Sequence, residues 1–308
     1  MADLQTELET RLEGDVRFDK VSRALYSTDA SVYQIEPIGV VIVRSRDDIL
    51  SAIECARQHG CSITARGGGT SQAGQAIGAG LQVDTSKYYN KVLEVNVEER
   101  WARVEPGIVL DELNAQLAPY RLRFAPDIST ASRATVGGMI SNNSSGTRSV
   151  LYGKTIDHVL DLHVALADSS VVHFKPLNKD ELDAVCNESS LEAKCYRTVR
   201  RIVAQHKKNI AERYPNILRR VGGYNLNCFV NQNEPFNLAK LVVGSEGTLG
   251  LILEARLNLV PLPKAKVVLT IEYDNLLDAL GETPAILLHK PSAVEVMDRF
   301  IELRPWIV

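Results

Sequence analysis

Three glycine-rich segments are the parts of this sequence best suited to chemistry: Arg66–Ser71 (RGGGTS), Ala134–Gly146 and Gly244–Gly250. Glycines expose backbone N–H groups and adopt positive φ, so that consecutive ones can form a concave nest for anionic oxygens. The first segment, flanked by an arginine and two hydroxyl residues, indicates a phosphate site, with an ordinary turn as the alternative. Three such segments in one domain indicate an extended ligand.

Two common nucleotide-binding patterns do not fit the first and second segments. The Rossmann pattern G-x-G-x-x-G opens a helix, but Gln72 stands where its third glycine belongs and residues 70–80 show no helical periodicity. The P-loop pattern G-x-x-x-x-G-K-[ST] is matched at Gly153–Thr155, but Arg148 occupies its first glycine position. The sequence therefore supports neither a Rossmann NAD site nor a P-loop.

The elements that must position these segments follow from apolar periodicity and turn residues. The sequence predicts a strand at Val40–Val43, a helix capped by Ser45 and closed by Gly60, and a strand at Cys61–Ala65 that runs into the first glycine segment. A small parallel unit is thus followed by a larger antiparallel sheet with helices. Its predicted parts are hairpins at 92–104 and 160–174, helices at 110–117 and 178–215, and strands at 241–243 and 251–259.

Four motifs, in their order and spacing, resemble the PCMH-type FAD-binding domain of the FAD-linked oxidases: the three glycine segments and Phe124–Asp127. This family includes vanillyl-alcohol oxidase, p-cresol methylhydroxylase, glycolate oxidase and the D-lactate and D-2-hydroxyglutarate dehydrogenases. The resemblance covers residues 37–262. Residues 148–158 and 221–225 most resemble large bacterial members in which this domain precedes an iron-sulfur module.

The resemblance implies an α+β fold in which two α/β subdomains bind FAD. Residues 1–36 are expected to be a helical lead-in, 37–262 the FAD-binding domain, and 263–308 the truncated start of a substrate-cap domain. Residues 291–298 are similar to the opening of that cap domain, and few residues follow them. The chain is therefore expected to be a fragment or a truncated product.

The resemblance also assigns non-covalent FAD to particular residues. Residues 65–78 contain no histidine, the residue that attaches flavin covalently in some members. Valine at Gly68 or Gly137 is expected to weaken FAD binding while the fold is largely kept. The implied pyrophosphate, isoalloxazine and adenosine contacts are, in chain order, Arg66, Gly67, Gly68, Gly69, Thr70, Ser71, Pro126, Asp127, Ser129, Thr135, Gly137, Gly138, Ser141, Asn142, Glu246, Gly247 and Ile252.

The activity implied is oxidation of a small D-2-hydroxy acid, with hydride passing from its α-carbon to flavin N5. Lys154 is a candidate for the substrate carboxylate, and a solvated surface charge is the alternative. In relatives the catalytic base and metal-binding histidines usually lie in the C-terminal part, beyond residue 308. An iron-sulfur module of the full-length protein is a candidate electron acceptor. The alternative function is a non-catalytic flavoprotein subunit that passes electrons to a partner.

Composition and charge argue against several other classes of protein. The 308 residues carry a formal charge of -3 and no basic stripe, which argues against a nucleic-acid partner. No apolar stretch approaches the ~20 residues needed to cross a bilayer, and the acidic N-terminus does not resemble a secretory signal, so a cytoplasmic location is expected. The five cysteines form no C-x-x-C pair and the six histidines are scattered, which predicts buried thiols and no metal site. Trp101 and Trp306 are expected to be packing residues.

Overall fold

The computed structural model describes residues 2–231 and 233–298, in which helices and strands form two sheets. The first sheet has the strand order β1–β2–β4–β3. Strands β2 and β3 both pair in parallel with β4, and β1 pairs antiparallel with β2. The bounds are β1 (Asp15–Arg17), β2 (Gly39–Ile42), β3 (Ile63–Arg66) and β4 (Leu81–Asp84).

The helix between β2 and β3, α3 (Arg46–Gln58), forms as its sequence predicts. The Ser45 hydroxyl accepts a hydrogen bond from the Asp48 amide, which satisfies one of the free N–H groups of the first turn. Ile49 and Ile53 lie one turn apart on a buried face that packs on the first sheet together with α1 (Ala2–Arg11). This β-α-β unit carries the first glycine segment at the end of β3.

The second sheet has six strands and is antiparallel, with the order β5–β6–β10–β8–β9 and β7 paired to the far end of β10. Both predicted hairpins and the long final strand are confirmed, as is the mixed α and β fold class. Leu253, Ala255, Leu257 and Leu259 of the central strand are buried, because alternate residues of a strand face one side. The bounds are β5 (Val92–Asn96), β6 (Trp101–Val104), β7 (Leu122–Phe124), β8 (Val159–Ala165), β9 (Val171–Phe174) and β10 (Leu251–Pro261).

Helices cover the second sheet and connect its strands. The predicted helix at 110–117 and the predicted helical region 178–215 are confirmed, the latter as two helices, the second of which has a non-helical residue at His206. The helices are α2 (Lys20–Leu25), α4 (Leu110–Leu117), α5 (Val136–Asn142), α6 (Ser149–Tyr152), α7 (Thr155–His158), α8 (Lys179–Cys186), α9 (Leu191–Arg213), α10 (Ala239–Val242) and α11 (Leu276–Leu288).

Two local predictions differ from the structure. The predicted strand 241–243 is wrong, because Leu241 and Val242 form the second half of the short helix α10. At the start of this helix the Asn237 side chain accepts a hydrogen bond from the Ala239 amide, and Lys240 Nζ donates to the Val159 carbonyl at 2.9 Å. The expected helical lead-in, residues 1–36, also contains β1, which helical periodicity could not indicate. Both errors concern short segments whose conformation depends on tertiary partners.

Residues 263–275 have no regular strand or helix and are followed by α11. Their apolar side chains are exposed, with Val267 and Val268 each 91% accessible. The proposed boundary at 262/263 is consistent with this change, although the division of the chain into domains stays a prediction. Residues 299–308, with Trp306, lie outside the described residues. Trp101 packs with 9% exposure, as expected.

Across 2–231 and 233–298 the structure contains no helix long and apolar enough to cross a membrane. The same residues contain no group of three or more His, Cys, Asp or Glu that could hold a metal ion. All five cysteines are free; Cys55 is buried and the other four are only partly buried, so the prediction of buried thiols is confirmed for one of them.

Candidate functional site

The short helix α5 brings the three glycine segments together. At its N-terminal end, a Cβ on Gly67 would lie 2.2 Å from Thr135 Oγ1, and a Cβ on Gly68 would lie 2.2 Å from the Arg133 carbonyl oxygen. The first segment therefore lies directly against the residues that begin α5. Thr135 caps the helix by accepting a hydrogen bond from the Gly138 amide at 3.3 Å.

The third glycine segment closes the other end of α5. The amides of Gly244 and Glu246 each donate a hydrogen bond of 2.9 Å, to the carbonyls of Ile140 and Ser141 respectively. Carbonyls in the last turn of a helix have no partner within the helix, so an outside donor satisfies them. A seven-residue helix thus joins the first segment at its start to the third at its end.

The first glycine segment presents free backbone donors. Within the described chain, the amides of Gly68, Gly69 and Thr70 donate no hydrogen bond to another residue. The Gly69 carbonyl accepts from the Ala30 amide at 3.0 Å, which fixes the loop from the opposite side. Gly69 has φ of +64°, a conformation that suits glycine. Consecutive unpaired amides in such a turn are suited to an anionic oxygen.

The Arg66 side chain supports this loop from behind. Its guanidinium donates to the carbonyls of Thr28 and Ala76 at 3.0 and 2.9 Å, and lies over the Tyr26 ring. Burial lowers the pKa of Arg66 from its ordinary value, partly offset by Asp84, which also accepts the Tyr26 hydroxyl. The side chain is therefore a structural support, and the backbone of this segment faces the candidate site.

Asn143 is a polar residue at this site that the sequence analysis did not assign to a ligand. It is completely buried at the C-terminal end of α5 with φ of +53°, and its Oδ1 accepts the Ile156 amide at 3.0 Å. Its Nδ2 is buried and has no partner among the described residues. The residue type is the sequence signal that could have indicated this position, because asparagine is one of the few residues that commonly take the left-handed conformation directly after a helix.

The other proposed cofactor residues differ in their exposure. Asp127 and Gly146 are adjacent, because a Cβ on Gly146 would lie 1.5 Å from the Asp127 carbonyl oxygen. Gly138, Asn142, Glu246 and Gly247 are exposed, Ser129 is exposed nearby along the chain, and Pro126 is buried. Ile252 differs from them, since its side chain is 7% exposed within the core beside the second sheet.

The space around individual glycines corrects one expectation. A valine at Gly68 or Gly137 cannot leave the fold undisturbed, because a Cβ there would lie 2.2 Å from the Arg133 carbonyl oxygen or 2.6 Å from Pro106 Cβ. Gly138 is open, with only Thr135 Oγ1 within 4 Å, at 3.3 Å, and Gly247 has nothing within 4 Å. Among the glycines proposed to contact FAD, only these two would place an added Cβ more than 3.0 Å from every described atom beyond the adjoining chain.

The cations that follow the second glycine segment already have protein partners. Arg148 Nε lies 3.0 Å from Asp127 Oδ2, and Lys154 Nζ donates to the Leu218 carbonyl at 2.9 Å. The Lys154 side chain is 17% exposed and lines a cavity of about 390 Å³ that also contains Arg220 and Lys240. Burial lowers the pKa of Lys240, whose ammonium donates to two backbone carbonyls.

These features fit a dinucleotide with a flat ring system. Free amides at the first segment suit a pyrophosphate, the uncrowded backbone at Gly138 and Gly247 leaves room for a ligand, and the buried Asn143 Nδ2 lacks an acceptor. The arrangement requires that residues about 180 positions apart in the chain meet at α5.

Comparison with known proteins agrees with this geometry. Residues 37–175 match the FAD binding domain family, which confirms FAD as the predicted cofactor. An alkyldihydroxyacetonephosphate synthase structure superposes with a TM-score of 0.62 at 19% identity, covering 86% of this chain and 41% of that one. At this identity the structural similarity supports the fold.

Sequence relatives confirm the resemblance to the FAD-linked oxidases. A D-2-hydroxyglutarate dehydrogenase of Pseudomonas putida is 39% identical over 92% of this chain, and glycolate oxidase subunit GlcD of Bacillus subtilis is 29% identical over 94%. A D-lactate dehydrogenase of Anaerostipes hadrus is 26% identical over 91%. The chain spans 29% of the length of the first of these relatives, 52% of the second and 49% of the third.

Proposed function

We propose that this chain, whose residues 37–175 match the FAD binding domain family, is the flavin-binding part of a dehydrogenase that oxidises a small D-2-hydroxy acid. D-lactate, glycolate and D-2-hydroxyglutarate are the candidate substrates, because relatives carry these names. The observation that carries the proposal is the meeting of three glycine segments at α5, with free amides at Gly68, Gly69 and Thr70.

In this proposal the backbone of Arg66–Ser71 binds the pyrophosphate of FAD through its amides. Residues of the second segment and of 126–129 lie along the rest of the dinucleotide, and Glu246, Gly247 and Ile252 lie near its adenosine end. Of these, Ile252 contributes through packing, since its side chain is buried. Residues 65–78 contain no histidine, so we expect the flavin to be held without a covalent bond.

When bound, FAD supplies the acceptor for the two electrons of the alcohol. The chain's own contribution is to position the ligand: α5 is fixed at both ends, and the Gly137 amide donates to the Pro106 carbonyl at 2.7 Å. Lys154 is the proposed partner of the substrate carboxylate, and displacement of its bond to the Leu218 carbonyl would free it. An iron-sulfur module elsewhere in a longer protein is the proposed electron acceptor.

Two measurements on the purified chain test this function. Mass spectrometry of the small molecule released on denaturation should identify unmodified FAD, and the protein should be yellow before release. Anaerobic addition of D-lactate, glycolate or D-2-hydroxyglutarate should then bleach the flavin absorbance. A colourless chain that stays colourless after reconstitution with FAD would contradict the flavin site. FAD that is held but not reduced by any of the three acids would favour an electron-transfer subunit.

A further inference from the structure

A strongly basic cavity of about 730 Å³ lies between the end of α9 and the loop 214–224. Its lining includes Arg213, Arg219 and Arg220, together with His206. Among the described residues that line it there is no Asp or Glu. The lining of this cavity thus carries three guanidinium groups and no carboxylate, which creates a positive potential that attracts an anionic ligand.

Arg220 has three contacts with the protein in this cavity. Its Nη2 donates to Asn225 Oδ1 at 3.1 Å and to Asn227 Oδ1 at 2.6 Å, and its guanidinium lies over the Tyr214 ring at 4.7 Å. Its Nη1 is buried and has no hydrogen-bond partner among the described residues. A guanidinium whose plane is fixed on one side and unpaired on the other is ready to bind a carboxylate.

The loop that carries Arg220 contacts the proposed flavin site at three points. Arg219 Nη2 donates to the Gly146 carbonyl at 2.7 Å, and Lys154 Nζ donates to the Leu218 carbonyl at 2.9 Å. The Tyr224 hydroxyl lies 2.8 Å from Thr248 Oγ1 in the third glycine segment. The basic cavity is therefore anchored to the second and third segments.

We propose that the basic cavity binds the second carboxylate of a dicarboxylic substrate, the one that Lys154 does not bind, with Arg220 as the principal donor. Because the cavity carries several cationic groups, it favours a 2-hydroxy acid with a second carboxylate over a monocarboxylate. The proposal rests on the proposed function and adds to it the site that selects the substrate. Tyr214, Ile217 and Val221 provide the apolar wall that the methylene groups of such an acid would contact.

The neighbouring cavity of about 390 Å³ is the less suitable of the two. Its lining includes Lys154, Arg220 and Lys240, but also Asp157 and Glu234. The Asp157 carboxylate accepts the Lys154 amide at 2.7 Å and lies 4.0 Å from Lys154 Nζ. Its charge is thus largely balanced by the protein itself, which leaves less attraction for an added anion.

Calorimetric titration of the 308-residue chain with D-2-hydroxyglutarate and with D-lactate, at low ionic strength, tests this inference. We expect tighter binding of the dicarboxylate. Arg220→Met should raise the Kd for D-2-hydroxyglutarate at least tenfold. Arg220→Lys should retain part of the affinity for this acid because it keeps the charge. Arg201→Met is the matched control, since Arg201 is exposed on α9 and bonds only Gln205 among described residues. Circular dichroism and melting curves establish that each variant is folded.

The outcomes separate this inference from the proposed function. Equal affinity of the wild type and Arg220→Met for D-2-hydroxyglutarate would overturn the cavity assignment, as would no binding to the wild type, while flavin bleaching by a hydroxy acid would still support the oxidoreductase. Absence of FAD would contradict the proposed function, yet calorimetry on the same chain would still decide whether the cavity binds a dicarboxylate. Should Arg220→Met fail to fold, Arg213→Met gives a second test, with a smaller loss expected because Arg213 is exposed.

Discussion

The glycine segments around α5 and the basic cavity beside them are built from different parts of the chain. The first region offers backbone amides, held by contacts such as the 2.9 Å bond from the Gly244 amide to the Ile140 carbonyl. The second offers long side chains, of which Arg220 is held by two asparagines and a tyrosine ring. A backbone site is therefore sensitive to any added Cβ, whereas a side-chain site is sensitive to charge and salt.

The largest effect is expected from Gly68→Val in the backbone region. A Cβ at this position would lie 2.2 Å from the Arg133 carbonyl oxygen, so the loop and the start of α5 must separate. We expect a loss of about 1–3 kcal/mol in the free energy of unfolding, together with loss of FAD binding. Urea denaturation and flavin fluorescence measure both. Wild-type stability in this variant would mean that the loop does not contact α5 as described.

A sharper test of the backbone region is Gly138→Ala, which separates ligand space from protein packing. Because Gly138 is exposed and an added Cβ meets only Thr135 Oγ1 at 3.3 Å, the free energy of unfolding should change by no more than ~1 kcal/mol in either direction. The Kd for FAD should nevertheless rise at least tenfold. Gly281→Ala in α11 is the matched control, since nothing lies within 4 Å of its added Cβ. An unchanged FAD affinity in Gly138→Ala would show that the flavin does not approach this turn.

Salt should distinguish the two regions in the unmodified chain. Raising the ionic strength from ~0.05 to ~0.5 M shortens the screening length severalfold, so binding of D-2-hydroxyglutarate to the guanidinium groups of the basic cavity should weaken several-fold. FAD affinity should change less, because the amides that bind it carry no net charge. Titrations at both ionic strengths measure the two responses. Equal salt dependence would contradict the proposed difference between the regions.

The smallest effect concerns His158, which supports the segment between the two regions. Its Nε2 donates to the Tyr152 carbonyl at 2.6 Å and its Nδ1 accepts from Asn258, an arrangement that suits a neutral ring. Burial lowers the pKa of His158 below its ordinary value of 6.5. The unfolded chain therefore binds more protons below about pH 6.5, and the free energy of unfolding should fall there as pH decreases, by at most ~1.4 kcal/mol per unit.

His158→Asn isolates this contribution to the pH dependence. The variant is expected to be less stable at neutral pH, because a hydrogen bond of the buried ring is lost. Its free energy of unfolding should depend less steeply on pH between about 5 and 6.5, the window just below the ordinary pKa of the imidazole. Some slope should remain, since burial also lowers the pKa of His163. Identical slopes in wild type and variant, from denaturation at several pH values, would contradict this role.

Elements with local signals were predictable from the sequence. The Ser45 cap marks the start of α3. The spacing of the leucines in α4 and the alternation in β10 each place the apolar residues on one face, so the spacing indicates a helix in the first case and a strand in the second. The strand prediction for residues 241–243 was wrong because three consecutive apolar residues fit a strand as well as they fit a helix. The helical form of this segment depends on Asn237 and Lys240, which bond residues some 80 positions earlier.

By itself, the sequence determined three glycine-rich segments suited to an extended ligand, because the absence of side chains at clustered glycines is visible in the order of residues; the flavin followed from the resemblance to the FAD-linked oxidases. It also determined most strands and helices. Only the tertiary structure decided that the three clusters meet at the two ends of α5, that the Asn143 side-chain Nδ2 is buried without an acceptor, and that three arginines share one cavity. The physical reason is that backbone conformation depends on neighbours in the chain, whereas a burial environment and a local charge are sums over residues far apart in it.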